Sequence, residues 1–227
     1  MRAACCWSGG KDSCYALWKA MSQGHDVRYL VNFISPVRFG RNAFHGVRHE
    51  LIRMQSESVG IPIMQRETTW EGYERTFREV MNELRNRGIE GLVTGDMDII
   101  EHRTWTENIC GEFGLKAVMP LWGLNPEDVL KGFVDEGFES IVVCVRADLL
   151  DDSWLGRRID RKFMADFHDY CQKRSLNICG ENGEYHTFVV DGPALQKRIS
   201  ITPREKVLSE GYWFLDIGEA TLVQKVA

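Results

Sequence analysis

The sequence predicts an α/β fold, a Rossmann-like parallel sheet with helices on both faces, followed by a smaller C-terminal α+β part. Three observations predict it. Apolar runs of strand length alternate with helical patterns through the first half, at the spacing of βαβ units. The first run stops on a glycine pair and passes straight into a helix. Beyond Val145 the alternation gives way to a charged loop, one helix and short extended pieces.

In order, Arg2 to Trp7 is apolar enough for a short buried strand and ends at Ser8-Gly9-Gly10. Lys11 to about Gln23 carries Leu17, Ala20 and Met21 at helical spacing. Val27 to Ile34 is a second strand, and an irregular stretch with Pro36, Arg38, Gly40, Arg41 and His45 follows it. Arg48 to Val59 reads as a helix and Pro62 to Arg66 as extended. Tyr73 to Arg87 is a strongly amphipathic helix, with Phe77, Val80, Met81 and Leu84 on one side. Gly91 to Gly95 is a strand closed by glycine, Thr106 to Phe113 a helix, and Ala117 to Leu121 a strand. Pro126 to Glu136 is a helix that starts where proline's missing N–H costs little. Ile141 to Val145 is a strong strand and Ile159 to Lys173 a helix. The remainder reads as short extended pieces cut by Gly192, Pro193, Pro203 and Gly211. A soft boundary near residue 123 separates residues 1–122 from 123–227. Without a Ser- or Pro-rich linker between them, the two parts should pack together.

The composition narrows the function classes. Of 227 residues, 44% are hydrophobic and 27% charged, as in an ordinary soluble globular protein. Lys and Arg number 28 against 33 Asp and Glu, so the net charge of −5 offers no general attraction for nucleic acid, which is an unlikely partner. No signal peptide opens the sequence, and no run approaches the ~20 apolar residues that span a bilayer, so a cytoplasmic protein without membrane contact is expected. The seven cysteines form no Cys-x-x-Cys pair, and the histidines show no ligand spacing, so no protein-held metal is expected.

The most informative segment is Ser8-Gly9-Gly10-Lys11-Asp12-Ser13 between the first strand and the first helix. Glycines let the backbone approach a phosphate, two hydroxyls and a cation stand beside it, and a helix N-terminus offers free N–H groups. It is an anion cradle. It fits neither the Walker A pattern, since Cys5 stands where the first glycine would be, nor the dinucleotide fingerprint. In an open parallel sheet ligands bind at the strands' carboxyl ends, which also brings Phe33, Gly95, Asp96 and Asp98 into consideration. Asp96 and Asp98 could equally cap the next helix. A second polar segment, Glu181-Asn182-Gly183-Glu184-Tyr185-His186-Thr187, carries two carboxylates and an imidazole, enough to hold an ammonium ion, an acceptor or a proton.

The Ser8 to Ser13 loop resembles the PP-loop of the N-type ATP pyrophosphatases. Gly95-Asp96, Pro120-Leu121-Trp122, the stretch from Leu149 to Asp160 and the stretch from Gly180 to Thr187 are similar, in that order, to motifs of the diphthine–ammonia ligase (diphthamide synthase) family. The resemblance runs from about residue 3 to 190. It implies an adenine nucleotide alpha-hydrolase-like fold, with residues 1–122 as the PP-loop ATP-binding domain and 123–227 as the acceptor-binding domain. It implies an AMP-forming ligase that uses ATP with Mg²⁺, adenylates an acceptor carboxylate and amidates it with ammonia. The family's acceptor is diphthine on elongation factor 2. Carried onto this chain, Ser8, Gly9, Gly10, Lys11, Asp12, Ser13, Phe33 and Gly95 would bind the nucleotide, and Lys11, Asp96, Glu181, Glu184 and His186 would serve the chemistry. The family usually shows Gly-Glu-Gly-Gly-Glu-Phe/Tyr-Glu where this chain has Asn182 and His186, which leaves a different carboxylate, such as a corrinoid precursor, as an alternative acceptor. A tRNA-modifying pyrophosphatase, touching RNA through Arg38, Arg41, His45 and Arg48, and an ATP sensor without turnover are the rival functions. The sequence leaves the oligomeric state open, a homo-oligomer included.

Overall fold

The computed structural model describes residues 1–35, 41–42 and 46–225. Strand β1 (Arg2–Cys6) leads through the glycine loop into helix α1 (Lys11–Ser22) and strand β2 (Asp26–Ser35). A two-residue strand β3 (Arg41–Asn42), helix α2 (His49–Val59), strand β4 (Ile63–Glu67) and helix α3 (Tyr73–Asn86) follow. Strand β5 (Gly91–Val93), helix α4 (Ile100–Glu112) and strand β6 (Lys116–Val118) complete the first sheet. Strands β1, β2, β4, β5 and β6 are all parallel. Leu30 and Val31 of β2 pair with β1 on one side and β4 on the other, which sets the order β4-β2-β1-β5-β6. The chain thus steps outward from β1 in one direction and then, through β5 and β6, in the other. The crevice of such a sheet opens between the carboxyl ends of β1 and β5.

Alternation along the strands divides the core. Ala3, Cys5 and Trp7 face a cluster with Cys14, Leu17 and Ala20 of α1 and Leu51 and Ile52 of α2. Ala4, Val31 and Phe33 face the other layer, where Phe77, Val80, Met81 and Leu84 of α3 meet Ile109 and Cys110 of α4. The first cluster does not stop at the sheet. It runs on through Leu130 and Phe133 of helix α5 (Pro126–Asp135) into Val142, Phe188, Ile199 and Leu215 of the C-terminal half, so both halves share one core.

That half is built on a second, antiparallel sheet in the order β8-β7-β10-β9, from β7 (Glu139–Arg146), β8 (Tyr185–Asp191), β9 (Lys197–Ser209) and β10 (Tyr212–Gln224). Helix α6 (Arg161–Gln172) lies beside it, started by Asp160, whose side chain accepts the Phe163 N–H at 2.7 Å. Two details differ from the sequence reading. Helix α4 begins six residues before Thr106, because exposed β-branched Ile100 and Thr104 hide its helical spacing. The tail forms one long hairpin rather than short pieces. Pro203 is tolerated because β9 is the sheet's edge and its register shifts between Glu205 and Pro203, the place where a strand needs no proline N–H.

Candidate active site

The chain leaves β1 through Ser8 and enters α1 at Lys11, with Gly10 as an extended N-cap and no side chain capping it. The loop is tied internally: the Ser8 and Ser13 hydroxyls lie 3.1 Å apart, and Ser13 Oγ donates to the Gly10 carbonyl at 3.1 Å. Gly9 is required. Its φ is +81°, and a Cβ there would stand 2.5 Å from Gln55 Oε1 and Ile52 Cδ1. Gly95, at the end of β5, closes the other flank. A Cβ on it would lie 2.8 Å from the backbone carbon of Asp12, so the strand end rests directly against the first turn of α1.

Lys11 is only 4% exposed. Its backbone N–H donates to Thr187 Oγ1 at 2.9 Å, and its Nζ donates to Asp12 Oδ2 at 2.8 Å and to the Cys179 carbonyl at 2.5 Å. The ammonium also sits 5.1 Å from the centre of the Tyr185 ring. The structure buries this loop cation between the two halves of the molecule. Burial works against its charge, but Asp12, then Cys179 and Glu181, outweigh burial and hold its pKa above the ordinary lysine value.

A cavity of about 620 Å³ opens over this loop. It is lined by Ser8, Lys11, Asp12 and Ser13 of the loop, by Thr94, Gly95 and Asp96 after β5, and by Glu181, His186 and Thr187 of the C-terminal half. Its far end is aromatic. Phe33 lies 4.9 Å from Tyr73, which stacks on Trp105 at 6.0 Å and beneath the exposed Trp70 at 6.4 Å. Such a wall suits a flat heterocycle. Glu181 stands among carboxylates. Burial first, then the charges of Asp12, Asp98 and Asp96, push its pKa up to about 8 against the pull of Lys11.

The structure therefore gathers most of the residues that the sequence singles out. Ser8, Lys11, Asp12, Ser13, Phe33, Gly95, Asp96, Glu181 and His186 share one cavity, with Gly9 and Gly10 shaping the loop. Asp96 and Asp98 do not cap α4, whose N-cap is Ile99 with no side-chain bond. Asp96 faces His102 Nδ1 at 3.4 Å, and Asp98 accepts from Asn177 Nδ2 at 3.4 Å. Glu184 is a different case. It is 1% exposed, does not line the cavity, and accepts the backbone N–H of Asn177 at 2.8 Å and of Asn182 at 3.0 Å. It holds the turn's shape. Asn32 lines the cavity with its side chain engaged, donating to the Trp7 carbonyl and accepting from Gln65.

Of the basic loop, Pro36, Arg38, Gly40 and His45 lie outside the described residues, as does the Arg41 side chain. Arg48 spends its Nη2 on the carbonyls of Ile217 and Gly218. Arg157 pairs with Asp166 over the buried Trp154, and Arg158 pairs with Glu139. Sequence reasoning missed Thr94, Tyr73, Trp105 and Gln55, which come from elements far apart in the chain.

The donor set also bears on a divalent cation. Asp12 Oδ1 is buried and has no hydrogen-bond partner, an oxygen ligand of the kind that complements a cation carried on phosphate oxygens. No group of three or more His, Cys, Asp and Glu side chains among the described residues is placed to hold a metal by itself. No helix among them is long and apolar enough to cross a membrane.

Family models match the chain over nearly its whole length: the diphthamide synthase N-terminal domain over residues 1–117 and the diphthamide synthase C-terminal domain over residues 125–225. The chain belongs to the diphthamide synthase family. Among its relatives, the diphthine–ammonia ligases of Rattus norvegicus and Homo sapiens are each 28% identical to it over 229 residues, covering 92% of this chain and 85% of the relative. The diphthine–ammonia ligase of Schizosaccharomyces pombe is 31% identical over 224 residues, with 88% of this chain matched to 36% of that longer protein. Membership makes this diphthamide synthase family protein an enzyme of the ligase class, and its loop, strand ends and C-terminal turn line one cavity.

Proposed function

We propose that this protein adenylates an acceptor carboxylate with Mg-ATP and amidates it with ammonia, releasing pyrophosphate and AMP, with diphthine on elongation factor 2 as the acceptor. One observation carries the reading: the phosphate cradle, the aromatic wall and the Glu181 to Thr187 turn are three sides of a single cavity. Adenine against Phe33, Tyr73 and Trp105 puts the phosphates over Ser8 to Ser13. Residues 1–122 then hold the nucleotide, and residues 123–227 shape the acceptor's side. The reaction draws on the ATP of the cytoplasm.

In the first half-reaction an acceptor carboxylate oxygen attacks the α-phosphorus, and the bond to the β-phosphate bridging oxygen breaks. The leaving pyrophosphate carries charge toward the N-terminus of α1 and Lys11, which stabilise it as it develops. Lys11 exchanges the Cys179 carbonyl for a phosphate oxygen in this step. Magnesium, where bound, would meet Asp12 Oδ1 and neutralise phosphate charge. In the second half-reaction ammonia attacks the acyl carbon, AMP leaves, and the surplus proton of the attacking nitrogen passes to Glu181. A carboxylate with a pKa of about 8 is a stronger base than one at 4.5, and it takes this proton in its ionised form, whose share grows as pH rises through about 8. Glu184 acts on neither molecule and keeps the turn in place.

His186 bears on the acceptor. It stands in the cavity wall where the family's pattern has a carboxylate, so this chain tolerates a more anionic acceptor than diphthine, such as a corrinoid-type carboxylate. Incubation with Mg-ATP, ammonium and diphthine-bearing elongation factor 2, set beside a corrinoid acid and bulk tRNA, decides among the readings. Acceptor-dependent AMP and pyrophosphate with an amide in the product's mass spectrum is the expected result. ATP binding with no AMP from any acceptor would leave a nucleotide sensor instead.

A further inference from the structure

Helix α2 carries two polar side chains that are wholly buried, Gln55 and Ser58, three residues apart on its inner face. A buried amide is costly unless its groups are bonded, and an aliphatic residue would fill the same space. The Gln55 amide is bonded throughout. Its Nε2 donates to the Gly9 carbonyl at 2.9 Å and to the Val189 carbonyl at 2.8 Å, and its Oε1 accepts from Trp7 Nε1 at 3.0 Å. The Val189 N–H reaches the same Gly9 carbonyl at 2.9 Å. Gly9 belongs to the phosphate loop, and Val189 stands in β8, two residues beyond Thr187 and three beyond His186.

We infer that Gln55 is a positioning residue that sets the distance between the phosphate loop and the acceptor-side strand β8, so that adenylation and amidation occur at one registered site. Gly9 is pressed against α2 with no room for a Cβ, so the loop's height over the helix depends on what occupies position 55. The second half-reaction depends on that height. An acyl adenylate formed over a displaced loop is offered to water rather than to ammonia, and misplacement of about 1 Å costs on the order of 10²-fold in kcat/KM.

Ser58 supplies the control. Its hydroxyl bonds the Lys197 backbone, accepting its N–H at 3.1 Å and donating to its carbonyl at 2.5 Å, and touches neither the loop nor β8. Gln55→Leu and Ser58→Ala both remove a buried bond between α2 and the C-terminal half, so both should lower the unfolding midpoint. Only Gln55→Leu is expected to raise the KM for ATP and to release AMP in excess of amide, measured with Mg-ATP, ammonium and diphthine-bearing elongation factor 2. Ser58→Ala should keep the wild-type ratio of AMP to amide. The inference rests on the ATP-and-acceptor reading of the site, and the two fail differently: a wild type that makes no AMP sinks that reading, whereas ATP affinity and product ratio equal in the two variants sink the role of Gln55. Should Gln55→Leu not fold, Gln55→Glu, which keeps the length and one acceptor, is measured the same way. Failure of both to fold would make Gln55 a core residue and overturn the proposal.

Discussion

Replacing Glu181 by glutamine should flatten the protein's stability profile between about pH 4.5 and about pH 8. In the folded chain burial, followed by Asp12, Asp98 and Asp96, pushes the Glu181 pKa from 4.5 up to about 8. Between those values the native state keeps a proton that the unfolded chain has lost. The group's favourable contribution is therefore full below about pH 4.5, falls as pH rises through that window, and levels off above about pH 8. At 1.36 kcal/mol for each tenfold, the full displacement corresponds to about 5 kcal/mol. Glu181 is only partly buried, and solvent at the cavity mouth screens the carboxylate, so roughly half, about 2–3 kcal/mol, is the expected effect.

Urea unfolding of wild type and Glu181→Gln, without nucleotide, at intervals from about pH 5 to about pH 9 reads this directly. The two proteins should have similar stability at the acid end and separate steadily, with the glutamine variant the more stable at the alkaline end. Other titrating groups are common to both proteins, so the difference curve isolates Glu181. With free ammonia held constant, amide formation by the wild type should also climb through about pH 8, and that climb should be missing in the variant. Parallel stability curves would show that Glu181 ionises as an ordinary surface carboxylate, and the proton-accepting role built on its environment would fall with them.

Lys11→Met should reduce AMP release by roughly 10²–10³, the loss typical of one charge-stabilising donor, and should also lower the unfolding midpoint, because Asp12 and the Cys179 carbonyl lose their partner; wild-type turnover would remove the phosphate role. Gly95→Ala places a methyl 2.8 Å from the Asp12 backbone and should weaken ATP binding by displacing the start of α1, which a nucleotide titration would disprove by returning wild-type affinity. Glu184→Gln leaves a buried acceptor site poorly matched to two backbone N–H groups and should cost about 1–3 kcal/mol of stability with ATP affinity retained; a selective loss of ammonia use without destabilisation would instead restore a direct chemical role. His186→Glu should change which carboxylate is amidated while nucleotide affinity stays near wild type, and equal loss of ATP binding would assign His186 to the nucleotide.

Residues adjacent in sequence were readable as a site because their chemistry is local. Ser8 to Ser13 is a turn whose glycines, hydroxyls and cation need no partner from elsewhere to be recognised, and its place between strand and helix already puts it at a sheet's carboxyl edge. The same locality explains the C-terminal turn, and it also explains why the sequence groups Glu184 with Glu181. Spacing shows two carboxylates three residues apart in a turn, but only the folded chain shows that Gly180 and Gly183 turn Glu181 toward the cavity while Glu184 points in and satisfies Asn177 and Asn182. The burial of Lys11 is illegible for a related reason. Its burial is made by Cys179 and Thr187, more than 160 positions away, and no local pattern announces such a contact.

The aromatic wall escaped for the opposite reason. Tyr73 opens the stripe that continues through Phe77, Val80, Met81 and Leu84, and periodicity cannot distinguish the turn of that stripe overhanging the crevice from the turns buried beneath the sheet. Gln55 did leave a trace. On α2 the buried positions are Leu51, Ile52, Gln55, Ser56, Ser58 and Val59, and a long amide among them must either be satisfied inside the protein or destabilise it. Here all of its bonds lead to the phosphate loop, its strand and β8. A polar interruption of an apolar helix face is thus a signal in this sequence of a specific contact between its two halves, and it falls where the two halves of the site have to be held in register.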